Sequence, residues 1–84
     1  MIDGELAVHL DRLHTTPLGA ERIRRNLSAD VEDAAAWCRR SLASPEAEAE
    51  RRGKNWYAAA GGVLWTINAR SYTIITAHAE KDRT

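Results

Sequence analysis

The stretch Asn55-Trp56-Tyr57-Ala58-Ala59-Ala60-Gly61-Gly62-Val63-Leu64-Trp65-Thr66-Ile67-Asn68 decides the fold. Large apolar residues alternate with polar or small ones at a period of two, the spacing of a half-buried strand. Gly61-Gly62 interrupts the alternation as a two-residue hairpin turn, because glycine tolerates the positive φ such turns demand. Folding the chain there sets Ala60 opposite Val63, Ala58 opposite Trp65 and Trp56 opposite Ile67. Opposed residues of an antiparallel pair share a face. An apolar face and a polar face separate cleanly in this register.

Ser71 to Ala77 continues the pattern as a third strand, with Asn68 to Ser71 as the turn. A turn centred on Ala69-Arg70 sets Ile67 opposite Tyr72, Trp65 opposite Ile74 and Val63 opposite Thr76. The core face then collects Trp56, Ala58, Val63, Trp65, Ile67, Tyr72 and Ile74. The other face holds Asn55, Tyr57, Thr66, Asn68, Ser71 and Thr73, with Leu64 and Ile75 toward one end. His78 falls on the core side, past the end of the core.

Upstream the period is near 3.6. Asp3 can cap a first helix running to about His14, with Leu6, Leu10 and Leu13 on one face. Thr16 and Pro17 restart the chain as an N-cap and a first helical residue, and Ala20, Ile23 and Leu27 point inward. Ser28 or Asp30 can cap a third helix whose stripe is Val31, Ala34, Ala35, Cys38 and Leu42, with Trp37 on its flank. Asp30, Glu32 and Asp33 in its first turn and Arg39 and Arg40 in its last complement the helix dipole. Pro45 to Arg52 reads as a short fourth helix that Gly53 ends. The expected fold is α+β: three to four helices packed on one face of a three-stranded antiparallel meander. One domain spans 1–84, with the helical part at about 3–52, the meander at about 54–78 and a mobile charged tail at 80–84.

The sequence has 84 residues and a formal net charge of zero, unevenly spread. Residues 1–50 carry ten acids and six bases, whereas residues 51–84 carry two acids and six bases. The basic second half suits a phosphate or an acidic partner, or simply the acidic first half of the same fold. The single cysteine, Cys38, cannot form an internal disulfide, so the fold does not depend on an oxidising compartment. No segment reads as a signal peptide or a membrane span. A cytoplasmic location is expected, with no membrane partner.

The polar face gathers its hydroxyls and amides near the Asn68 to Ser71 turn. Arg70 sits in that turn, and Lys54 enters the sheet at the same end after Arg51 and Arg52. Such a surface suits phosphate and sugar contacts, with Tyr57 free to stack on a base. It can equally be an ordinary solvated sheet face. His14-Thr15-Thr16 forms a polar knot at a chain reversal. His78 could act as a general acid or base, or merely close the sheet edge. No histidine or cysteine pair has metal-ligand spacing and no Gly-rich phosphate loop is present, so neither a metal nor another cofactor is expected.

Three stretches carry a family resemblance: Leu13-His14-Thr15-Thr16 with Leu18-Gly19 and Glu21-Arg22-Ile23; Gly53-Lys54-Asn55-Trp56-Tyr57; and Thr66-Ile67-Asn68-Ala69 with Ser71 through His78. Together they resemble a small bacterial domain-of-unknown-function family, from about Leu6 to His78. That family implies no activity. More loosely, helices followed by an antiparallel meander look like the RelE and colicin-type ribonuclease toxins. The resemblance implies metal-independent RNA cleavage on the open sheet face. Tyr57, Arg70 and His78 would then be the catalytic residues, and Lys54, Asn55, Asn68, Ser71, Thr73 and His14 the binding residues. The zero net charge departs from the strong basicity of those toxins.

Two functions of different class are therefore expected. One is RNA binding or metal-independent ribonuclease activity on the polar face. The other is a non-catalytic module that docks a protein or small polar ligand there. The oligomeric state is left open.

Overall fold

The computed structural model describes residues 4–27 and 33–79. Asp3, Ser28, Asp30, Val31, Glu32 and the tail 80–84 lie outside the described residues, as does the side chain of Leu27. The elements are α1 (Gly4–Ala7), a 3-10 turn (Leu10–Arg12), α2 (Pro17–Leu27), α3 (Ala34–Leu42), β1 (Glu48–Arg52), β2 (Asn55–Ala60), β3 (Val63–Asn68) and β4 (Ile74–Ala79). The strands form one antiparallel sheet in the order β1-β2-β3-β4. The sheet thus has four strands, not three.

The added strand replaces the expected fourth helix. Alanine and glutamate favour helices intrinsically, by a few tenths of a kcal/mol per residue (~0.5). Burial at a period of two overrides that preference here. Ala47 is fully buried and Ala49 packs against the core, while Glu48 and Glu50 project outward. Gly53 takes φ +59° in the two-residue turn between Arg52 and Asn55, so it reverses a hairpin and does not end a helix.

The first helix is also shorter than its leucine spacing suggests. The His9 ring nitrogen Nδ1 lies 2.9 Å from the Glu5 carbonyl, the acceptor that a continuing helix would offer to the His9 amide. The His9 amide donates to Leu6 instead, and the chain tightens into the 3-10 turn. Leu6 and Leu13 are nonetheless buried. Thr16 caps α2, accepting from the Gly19 amide at 3.0 Å. Helix α3 begins at Ala34, with Asp33 as its cap in place of Ser28 or Asp30.

The β2–β3 register is the one the glycine pair dictates, with φ +54° at Gly61 and +78° at Gly62. The β3–β4 register differs from the sequence reading. Ile67 faces Ile74, Trp65 faces Ala77 and Val63 faces Ala79. Two causes add. The four-residue loop spans 69–72, one residue later than a four-residue turn centred on Ala69-Arg70, and is closed by the Asn68 amide on the Thr73 carbonyl at 2.9 Å. A bulge then leaves Ile75 unpaired between Ile74 and Thr76. The bulge shifts the alternation by one residue, so His78 leaves the core side and opposes Leu64 on the open face.

Helices and core lie behind the sheet. Trp56, Trp65, Ile67 and Ile74 meet Ile23, Cys38 and Leu42 there. The Trp37 ring packs against Trp65 at 6.0 Å. Burial pushes the Cys38 thiol above its ordinary pKa, an effect that the Trp65 indole N–H beside it partly offsets.

Candidate functional site

Two turns meet at one end of the sheet. The Ala69 amide donates to the Lys54 carbonyl at 2.8 Å, tying the 69–72 loop to the Gly53-Lys54 turn. Arg51, Lys54, Asn68, Ala69 and Arg70 line a cleft of about 490 Å³ between them. Arg51 is held in place: its Nε donates to the Gly53 carbonyl at 2.9 Å, and its Nη1 lies 3.9 Å from Glu5 Oε2. Lys54 and Arg70 pair with no carboxylate among the described residues. Three cations therefore share one concavity, two of them free to engage an anion.

The 69–72 loop owes its shape to Asn68. Its Oδ1 accepts from the Arg70 and Ser71 amides, both at 2.9 Å. Tyr72 follows at φ +60°, a backbone region that costs a bulky residue roughly 1–3 kcal/mol. Packing holds it there. The buried ring has the Arg12 guanidinium over it at 4.8 Å and the His9 ring at 5.2 Å.

A hydrogen-bond chain leaves the same loop. Ser71 Oγ lies 3.2 Å from Asn68 Oδ1 and 2.8 Å from Thr73 Oγ1, which in turn lies 3.0 Å from His14 Nε2. His14 Nδ1 is 3.0 Å from the Arg12 carbonyl, so Nδ1 carries the proton. Ser71 Oγ has a single proton, which serves either Asn68 Oδ1 or Thr73 Oγ1.

A second hollow, of about 580 Å³, lies on the open face. Its walls include Glu48 and Arg52 of β1, Tyr57 of β2, Leu64 and Thr66 of β3, and His78 of β4. Arg52 Nε donates to Glu50 Oε2 at 2.7 Å, and the Arg52 guanidinium lies 5.6 Å from the centre of the Tyr57 ring. That hydrogen bond and charge lower the Glu50 carboxyl pKa and raise that of Arg52. Asn55 Nδ2 donates to the Tyr57 hydroxyl at 3.4 Å.

The nine residues singled out from sequence thus fall into three groups. Lys54, Asn68 and Arg70 share the cleft. Asn68, Ser71, Thr73 and His14 share the hydrogen-bond chain. Tyr57 and His78 share the open-face hollow, with Asn55 beside Tyr57. Arg70 stands apart from His78: the pair Leu64–His78 is four residues along β3 from Asn68, about 13 Å at strand rise. Sequence reasoning missed Glu48 and Glu50 as wall residues. The signal for them was the Ala47-Glu48-Ala49-Glu50 alternation. Among the described residues, no group of three or more His, Cys, Asp or Glu side chains could hold a metal ion. No described helix is long and apolar enough to cross a membrane.

Fold and site define a small α+β domain with helices behind a four-stranded meander and polar concavities at its end and front. Residues 7–78 match the family described as Protein of unknown function (DUF3781), and the chain belongs to that family. No curated protein and no solved structure matches it.

Proposed function

We propose that this protein binds single-stranded RNA, holding a phosphate in the sheet-end cleft and stacking a base on the open face. The observation that carries this reading is the convergence of Lys54 and Arg70, neither paired with a carboxylate among the described residues, on one cleft beside Arg51 and Asn68. Cations in a concavity follow a phosphate backbone, and an exposed aromatic ring accepts any base by stacking. Tyr57 is 41% exposed and supplies that ring. Asn55 and Asn68 can meet sugar or base edges.

One arrangement favours cleavage in addition to binding: Tyr57 and His78 line the same hollow. His78 would take the 2′-hydroxyl proton while the 2′-oxygen attacks phosphorus. Tyr57 would give its proton to the departing 5′-oxygen, leaving a cyclic phosphate. The alternative is a protein-docking module using Tyr57, Leu64 and Ile75 as contact area.

Fluorescence anisotropy of labelled single-stranded RNA over a sodium chloride series tests the proposal. Lys54→Gln and Arg70→Gln should each weaken binding and each lower the salt slope by about 0.7. Absence of binding at low salt would overturn the reading. The same RNA incubated in EDTA, with His78→Ala as control, separates cleavage from binding alone.

A further inference from the structure

We propose that two copies of this chain join along β1 to form one continuous eight-stranded sheet. The proposal is independent of RNA binding. Strand β1 pairs with β2 on one side, and no strand lies on its other side among the described residues. The two-residue Gly53-Lys54 turn directs the backbone groups of Arg52 toward Asn55. Alternation along the ladder then points the amides and carbonyls of Ala49 and Arg51 outward. Those groups have no partner among the described residues. They are a template for a further strand.

Symmetry and charge select the occupant and the register. Two identical edges that pair antiparallel are related by a two-fold axis perpendicular to the sheet, so both open faces lie on one side. Open-face residues must then oppose open-face residues. On β1 these are Glu48, Glu50 and Arg52. A pairing centred on Glu50 matches all five residues of β1 with all five of the second copy. It sets Glu48 opposite Arg52 of the second copy, twice by symmetry. Ala49 and Arg51 oppose each other in two further pairs, each exchanging two backbone hydrogen bonds. Glu50 meets Glu50 at the axis, where Arg52 of its own strand, 2.7 Å away, offsets part of the repulsion while also facing Glu48 of the second copy. Centring the pairing on Ala49 sets Glu48 against Glu50. Centring it on Arg51 sets Glu50 against Arg52 twice but opposes Arg51 to Arg51 and leaves Glu48 outside the paired strand. Both pair fewer strand residues.

The consequence reaches the open face. Glu48 and Arg52 wall the 580 Å³ hollow on its β1 side. In the dimer that wall becomes the seam, and the second copy completes the rim of the hollow.

Light scattering coupled to size-exclusion chromatography, over a range of protein concentrations, tests the pairing. The wild-type chain should run at twice the monomer mass. Ala49→Pro should run as a folded monomer, because its amide faces outward and proline is tolerated on a strand edge. Glu48→Arg and Arg52→Glu alone each oppose like charges and should each run as monomers. Their combination only mirrors the strand's charge order, with Glu50 still flanked by an arginine two residues away, and should restore the dimer. Circular dichroism establishes that each variant is folded. A wild-type monomer at the highest concentration reached, or an undisturbed Ala49→Pro dimer, would overturn the proposal. A folded double variant that stays monomeric would overturn the register.

Discussion

Thr73 Oγ1 lies 3.0 Å from His14 Nε2, a contact between residues 59 positions apart. Two backbone bonds flank it: the His14 amide to the Tyr72 carbonyl at 3.2 Å and the Ile74 amide to the His14 carbonyl at 2.8 Å. The segment before α2 thus runs parallel to the start of β4 and closes part of that edge. Thr73→Val keeps the branched shape and removes the hydroxyl at the centre of the chain from Asn68 to His14. We expect a loss of about 0.5–1.5 kcal/mol in urea unfolding. An unchanged midpoint would mean that the side-chain relay adds nothing to the backbone bridge.

Trp65→Ala should cost about 3–5 kcal/mol, the range for a fully buried aromatic. Trp65 is 1% exposed and supports both Trp37 and Cys38. A domain of this size has a total stability near the low end of about 5–15 kcal/mol, so the variant should keep only about 0–2 kcal/mol and begin to unfold close to room temperature by circular dichroism. A native-like spectrum with a normal melt would contradict the core described above.

Gly19→Ala puts a methyl group 2.5 Å from Thr15 Oγ1 and 3.1 Å from the capping Thr16 Oγ1. Alanine gains up to about 1 kcal/mol in helix propensity, but overpacking costs about 1–3 kcal/mol. The variant should be less stable than wild type. Added to Thr15→Ala, which removes the nearer oxygen, the same change should become neutral or stabilising. A double-mutant cycle on thermal melts reads the coupling directly, and additive effects would argue against the contact.

Glu50 holds its folded-state pKa below the ordinary glutamate value because Arg52 donates to it and stands beside it as a cation. A depressed carboxyl pKa stabilises the fold at pH above the unfolded pKa. That contribution disappears as pH falls through the folded value. A carbon-detected titration should find Glu50 low in wild type and back in its ordinary range in Arg52→Gln. A wild-type value already in that range would refute the ion pair in solution.

The β2–β3 hairpin was legible because two glycines and a strict alternation leave one register, which fixes Trp56, Trp65 and Ile67 in the core. The cleft was legible for the same reason, since Lys54 and Asn68 flank the same end of that hairpin. Strand β1 was not, because Ala and Glu carry helix propensity and its alternation shows only once Ala47 and Ala49 have a core to enter. The register of β4 was lost at the 69–72 loop, and its faces only at the Ile75 bulge. A tyrosine at positive φ carries the loop one residue further along the chain without any glycine to announce it, and the bulge then changes the parity that placed His78. The His14–Thr73 contact was out of reach as well, for it depends on how the segment before α2 lies along the sheet.

The bulge at Ile75 has an evolutionary meaning. Ile75 faces no residue of β3, and the inward and outward order resumes from Thr76 as if it were absent. Loss of that single codon would therefore join Ile74 to Thr76 in an unbroken strand, with Ala77 still inward and His78 still on the open face. Chains one residue shorter at this point can share the same sheet, and the reading frame of the fold tolerates an indel in the middle of a strand.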